Sequence, residues 1–502
     1  MQGVRRKLSL LFLLLLLTIT VVAQESLIPR GCRRGTPRSQ VSLLRRGSSE
    51  GRTPGGNFYK GDLHQLVVMA AFADRSFKGD ESATLEQWNK IFNSVNFTDT
   101  PFKGSIHDYF CAQSYNQFRP VFDLVYVQVG NAKQYASDDF DENSQYLVQH
   151  VMDELKKNPN IDWSLYDWNG DGYINQLLII YAGYGMNDHP WATDLIWPHQ
   201  WWMSEHLKDG QPGVYCDPIA VTFGDKQYFV DCYCALEELT ASDDYGTFGT
   251  ICHEYSHCFG FPDFYYGSSI KYLYGWDLMD SGNYNGGGFC PASYSAHERW
   301  LMGWLTPVEL KQNTTITNMP SLAAEGTAYY FRNDGYEDEY YFVENRQQEK
   351  WDASLPGSGV IVFHIDYDPD IWIGTQESPN HPDVTIDMKK YPAIQRYVLF
   401  HANNSSTYSK WAYPYNANDS LTNYSSPAAK LNNTNTDGSK LMNKSLRDIR
   451  VENGLASFRF TVDSTTGIEE LQDHRSYKIL YDLGPIYIIR YSNGEIKKVV
   501  KH

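Results

Sequence analysis

The stretch "GTICHEYSHCFGFPDFYYG", residues 249–267, decides how the rest of the chain is read. His253 and His257 are four residues apart. On a helix they share one face and can offer two imidazoles to one metal ion. Glu254, beside the first histidine, can face a metal-activated water without being a ligand. Gly260 allows the helix to end in a left-handed turn, and Pro262 stiffens the reversal that follows. Asp263 then arrives near the two histidines. No third histidine follows at short distance, so a carboxylate is the expected third ligand. Two His and one carboxylate suit zinc with a fourth position kept for water. A bare HExxH recurs by chance, whereas HExxHxxGxxD is far more specific.

Downstream, "YGWDLMDSGNYNGGG" (274–288) sets Met279 in a tight Asp/Gly-rich turn. Extended zinc protease motifs carry a methionine in such a turn; taken alone, Met279 also reads as an ordinary core residue. Tyr284, five residues past Met279, resembles the tyrosine that related zinc proteases place near such a turn, which implies a candidate oxyanion donor, with a packing role as the alternative. His199 in "IWPHQW" reads as structural. Upstream, "DWNGDGYIN" (167–175) has the opening of a calcium loop. Asp167, Asn169 and Asp171 hold positions one, three and five, Tyr173 would give a backbone carbonyl, and Asn175 is ninth. Leu178 stands where an EF-hand has its bidentate Glu, and a strand follows where a helix is needed. The motif is therefore incomplete, and a polar turn without an ion is the alternative. Calcium there would be structural.

Several stretches together resemble the immune-inhibitor-A family of secreted bacterial metallopeptidases, which is grouped with the metzincin-like zinc proteases. They are "GSIHDYFCAQSYNQF" (104–118), "YDWNGDGYINQLLIIYAGYG" (166–185), "IWPHQW" (196–201), "HEYSHCFGFPDFY" (253–265), "WDLMDSGNY" (276–284) and "AHERWLMGWL" (296–305). "ENRQ" (344–347) and "LPGSGVIVFHIDY" (355–367) extend the likeness. The resemblance implies an α/β metzincin-like domain, a mixed sheet plus an active-site helix. It implies zinc bound by His253, His257 and Asp263, with Glu254 as the base. The activity implied is that of a zinc metalloendopeptidase hydrolysing extracellular proteins.

The chain has 502 residues and a formal charge of −17, unevenly spread. Residues 1–56 carry ten Lys/Arg and two acids; from residue 57, 33 basic residues stand against 58 acidic ones. Such a body repels nucleic acid and anionic membrane, so neither is an expected partner. Arg5, Arg6 and Lys7 ahead of a leucine-rich run over 8–22 read as a signal peptide, with an uncleaved anchor as the alternative. No later segment is long and apolar enough for a membrane span. Residues 24–56 suit a basic pro-segment of a zymogen or a plain linker. Cys32 within it, in "PRGCRRGTP", is either a candidate latch on the open zinc position or incidental. The eight cysteines show no paired CxxC spacing, which argues against a sulfur-bound structural zinc.

The expected order is a signal peptide (1–23), the pro-segment (24–56), the metallopeptidase domain (57–310) and an all-β, sandwich-like accessory domain (311–462). A linker and a small β module (463–502) close the chain. In the accessory domain His364 and Asp366 alternate on one strand, as on a solvated face. The last module, "YKILYDLGPIYIIRYSNGEIKKVVKH" (477–502), resembles a type IX secretion sorting domain. That implies contact with secretion machinery and a secreted or surface-attached protein. The competing reading is a surface adhesin or glycan-binding protein with an incidental metal site.

Overall fold

The apolar run "QLVVMAAF" needs burial on both faces, and β1 (Gly61–Phe72) gives it a central place in a sheet. The fold is that of a computed structural model. It describes residues 59–136, 143–189, 192, 194–211, 213–266, 272–374, 378–380, 385–386, 389–390, 394–463, 477–482, 486–491 and 496–500. The expected signal peptide, pro-segment and Cys32 latch lie outside the described residues. Helices α1 (Glu81–Asn93) and α2 (Ile106–Gln113) lead into β2 (Phe118–Val129). Helix α3 (Ser144–Leu155) follows and buries Leu147, Val148, Val151, Met152 and Leu155, one stripe at helical spacing. Strands β3 (Leu177–Tyr184), β4 (His199–Trp202) and β5 (Cys232–Leu239) complete the sheet. Its order is β2–β1–β3–β5–β4. All neighbours are parallel except β4, which runs antiparallel to β5 at the edge. This is the mixed sheet expected from the sequence.

Helix α4 (Phe248–His257) carries the HExxH motif, and every residue in it is buried. Gly249 is required in its first turn: a Cβ there would stand 1.9 Å from the Asn283 carbonyl oxygen. The chain then passes through the Met279 turn to α5 (Ala296–Leu301), whose N-terminus is closed by a Ser295/Glu298 capping box.

The β-rich part is built from β6 (Val308–Glu309), β7 (Thr314–Met319), β8 (Ala328–Asn333), β9 (Tyr336–Arg346), β10 (Gly359–Asp366), β11 (Tyr397–Leu399), β12 (Lys444–Glu452) and β13 (Leu455–Val462). One sheet has the order β11–β10–β9–β8–β6 and the other β7–β13–β12. Alternation between two covered faces explains why "EYYFVENR" and "GVIVFHID" are buried throughout. Tyr341, Val343, Val360 and Val362 face the core shared with β7, β12 and β13. Tyr340, Phe342, Ile361 and Phe363 face the other way, into the core that surrounds α4. That larger core runs from Tyr59 to Ala412, so packing continues across residue 310.

The two-sided burial corrects the reading of His364 and Asp366 as a solvated face. His364 Nε2 lies 2.7 Å from Glu339, and Asp366 accepts from the Asn432 and Asn433 amides at 3.1 Å each. Both residues are buried, at 7% and 5% exposure. Strands β14 (Tyr477–Asp482), β15 (Ile486–Tyr491) and β16 (Ile496–Val500) form a separate antiparallel sheet. Among the described residues no helix is long and apolar enough to cross a membrane. The seven described cysteines are all buried, and none is disulfide-bonded to another.

Candidate metal centre

The site is made by one helix, one reversal and one turn. Helix α4 ends at His257, and the Gly260 N–H donates back to the His257 carbonyl at 2.9 Å. Gly260 holds φ +92°, the left-handed conformation that a side chain disfavours. The reversal places the Phe261 carbonyl 2.7 Å from His257 Nδ1. It also brings Asp263 Oδ1 to 3.0 Å from His253 Nε2 and 3.5 Å from His257 Nε2. The turn containing Met279 supplies the Leu278 carbonyl, 2.9 Å from His253 Nδ1. Each imidazole thus has Nδ1 held by a backbone carbonyl and Nε2 turned toward Asp263, an orientation typical of metal-bound histidines. The Met279 side chain is fully buried, and its carbonyl accepts the Phe264 N–H at 2.9 Å.

Ligand atoms of His253, Glu254 and His257 lie within 4.8 Å of one another. Two carboxylates therefore compete to be the third ligand. Zinc ligands at about 2.1 Å and tetrahedral angles stand about 3.4 Å apart. Asp263 Oδ1 lies 3.0 and 3.5 Å from the two imidazoles, whereas Glu254 Oε2 stands 3.9 Å from His257 Nε2. Asp263 suits the ligand role and Glu254 the place beside it.

The electrostatics also call for a cation. His253, Glu254 and His257 are at most 2% exposed and Asp263 is 7% exposed. Two carboxylates so close in a low-dielectric setting need positive charge between them. Burial acts to lower the His253 pKa, but the Asp263 hydrogen bond and the Glu254 and Asp263 charges outweigh it and lift it to about 9. A proton on His253 is one way to supply the charge, and a divalent ion among nitrogen and oxygen donors is the other. The donor set fits zinc.

Tyr284 is 54% exposed, on the Gly282–Gly288 segment that packs against the first turn of α4. His199 is fully buried between the Trp197 carbonyl and the Tyr233 hydroxyl, in keeping with a structural role. Tyr265 escaped the sequence reading: its ring stacks on His253 at 6.3 Å. Its place two residues after Asp263 was the available signal.

In the 167–175 loop, Asp167 accepts the Asp171 and Gly172 N–H groups at 3.1 and 3.0 Å. Asp171 accepts the Tyr173 N–H at 2.9 Å and Asn175 accepts that of Trp168 at 2.6 Å. Burial raises the Asp167 carboxyl above its ordinary pKa. The strand expected after the loop is β3. A pocket of about 450 Å³ lies in the β-rich part, lined by His364, Phe400, Asn404, Ser426 and Lys430 among others.

Residues 84–304 match the family model of the immune inhibitor A peptidase M6 catalytic domain. The matched segment contains α4, the reversal to Asp263 and the Met279 turn. The chain is also 28% identical over 180 residues to the pre-pro-metalloprotease PrtV of Vibrio cholerae serotype O1, in strains M66-2 and El Tor Inaba N16961. That alignment takes in 31% of this chain and 18% of PrtV, so the chain spans under a fifth of the length of these relatives. Both likenesses support a metallopeptidase.

Proposed function

We propose that the chain is a secreted zinc-dependent endopeptidase acting on extracellular proteins. The observation that carries this reading is the Asp263 oxygen lying 3.0 and 3.5 Å from two imidazoles whose other nitrogens are held by carbonyls. His253, His257 and Asp263 hold the metal. When bound there, zinc supplies Lewis acidity toward the scissile carbonyl and toward a water. Glu254 accepts the proton of the attacking water and returns it to the leaving amine. Tyr284 remains the candidate oxyanion donor. Export rests on the N-terminal sequence, and the likeness to PrtV, a pre-pro-metalloprotease, supports a leader and a pro-segment. Sorting through residues 477–502 belongs to the same proposal.

Glu254→Gln, assayed on unfolded casein beside wild type, tests the mechanism. The expected loss is about 10²–10⁴-fold in rate, the range for a general base, with zinc still bound. Chelation should abolish wild-type cleavage and zinc should restore it. Undiminished cleavage by the folded variant ends this reading.

Calcium in the 167–175 loop is part of the proposal as a stabiliser. Added calcium should raise the melting temperature of wild type and do so less in Asp171→Ala. Equal response in both returns the loop to a polar turn. The pocket beside His364 favours, as a second reading, a binding role for the β-rich part. Glycan binding that persists after chelation would support it.

A further inference from the structure

We propose that the β-rich part completes the metal centre, with Asn380 and Tyr397 as positioning residues for the Asp263 ligand. The inference rests on the zinc reading above. Phe264 directly follows Asp263, and the backbone of Phe264 is gripped on both sides. Its N–H donates to the Met279 carbonyl at 2.9 Å. Its carbonyl accepts from Asn380 Nδ2 at 3.2 Å. The first grip comes from the turn beneath α4, and the second from a residue 116 positions further along the chain.

Asn380 is itself immobilised. Its Oδ1 accepts the Arg396 and Tyr397 N–H groups, each at 2.8 Å. Its Nδ2 also donates to the Tyr397 carbonyl at 2.8 Å, and its own carbonyl accepts the Tyr272 hydroxyl at 3.1 Å. At 2% exposure, all its polar capacity is committed within the protein. The Tyr272 and Leu273 N–H groups in turn donate to Asp280 at 2.9 Å, beside Met279. The loop of contacts therefore closes from Met279 through Phe264, Asn380 and Tyr272 back to Asp280.

Packing reinforces the grip. The Phe264 ring meets the Tyr397 ring at a centroid distance of 4.1 Å, and neither residue is exposed. The Tyr397 hydroxyl lies 2.7 Å from Ser295 Oγ, the cap of α5. Tyr397 opens β11, which pairs with β10 in the two-faced sheet. Asp263 thus takes its position from a residue anchored in the accessory sheet. His253 and His257 need no such help, since α4 fixes their spacing.

The test is zinc affinity, measured by chelator competition on the full chain, with the visible spectrum of the cobalt-substituted protein as a report on ligand geometry. Asn380→Asp keeps the Oδ1 acceptor and deletes the donor to Phe264. Tyr397→Leu deletes the ring contact. Each should weaken zinc binding about 10–100-fold, the usual cost of losing a group that orients a ligand, and should alter the cobalt bands. Tyr397→Phe, which keeps the ring, should stay within about threefold of wild type. If one variant fails to fold, the other decides. Wild-type affinity and an unchanged cobalt spectrum in a folded Asn380→Asp or Tyr397→Leu overturn the inference alone. Absence of zinc from wild type overturns the zinc reading and this inference with it.

Discussion

Glu237, on β5, is 1% exposed, and its Oε2 has no hydrogen-bond partner among the described residues. The Asn187 amide reaches Oε1 at a long 3.4 Å. Burial is the main reason its pKa is raised from 4.5 to about 8, with the Asp188 and Glu254 charges adding to it. A carboxyl raised in the folded state favours folding while protonated. Its contribution is fully present below about pH 4.5 and is lost as pH rises to about 8. Glu237→Gln, which keeps a neutral side chain at every pH, should match wild type near pH 4.5. It should be the more stable protein at pH 8 by a few kcal/mol, at about 1.4 per pKa unit. Denaturant titrations at the two pH values check this, and parallel curves would mean that Glu237 is solvated. Nothing in the sequence marks Glu237, because its environment is assembled from other elements, such as Asn187, 50 positions away. His253, His257 and Asp263 were legible because eleven consecutive residues contain all three and the turn between them.

At the scale of the element, α4 shows what periodicity can and cannot reveal. Its helical register followed from the HExxH spacing. Its complete burial did not, since that depends on β4, β5 and the Gly282–Gly288 segment packing around it. Gly249 records the closest of these approaches. Gly249→Ala would drive a methyl group into the Asn283 carbonyl, and both partners are backbone. The expected outcome is a loss of about 1–3 kcal/mol by overpacking, with weaker zinc binding because the helix carrying both histidines must shift. A melting curve and a zinc titration on the same sample check it; an unaffected variant would mean that the segment is free to yield. The strand β10 taught the opposite lesson. The alternation of His364 and Asp366 suggests a solvated face, but packing on both sides leaves no such face.

The whole molecule is held across its midline by charge as well as by packing. Arg346 is 1% exposed and bonds Asp352 twice at 2.8 Å and Glu344 at 3.0 Å. It also donates to the Ser293 carbonyl at 3.1 Å, while Glu344 accepts the Ala296 N–H at the start of α5. The stretches "AHERWLMGWL" and "ENRQ", separate in the sequence, therefore meet in space, and the sequence alone held no sign that they would. Arg346→Met would strand two buried carboxylates, at about 3–5 kcal/mol. Chemical denaturation should show both parts losing stability together, in one transition. Two transitions, with only the β-rich part shifted, would mean that the parts fold independently.

The buried thiols have one more consequence. Cys111, Cys216, Cys232, Cys234, Cys252, Cys258 and Cys290 are each enclosed and none is bridged to another. Among the described residues, the folded protein offers an alkylating reagent almost nothing to attack. The rate at which such a reagent marks these positions becomes a clock for how often the interior opens.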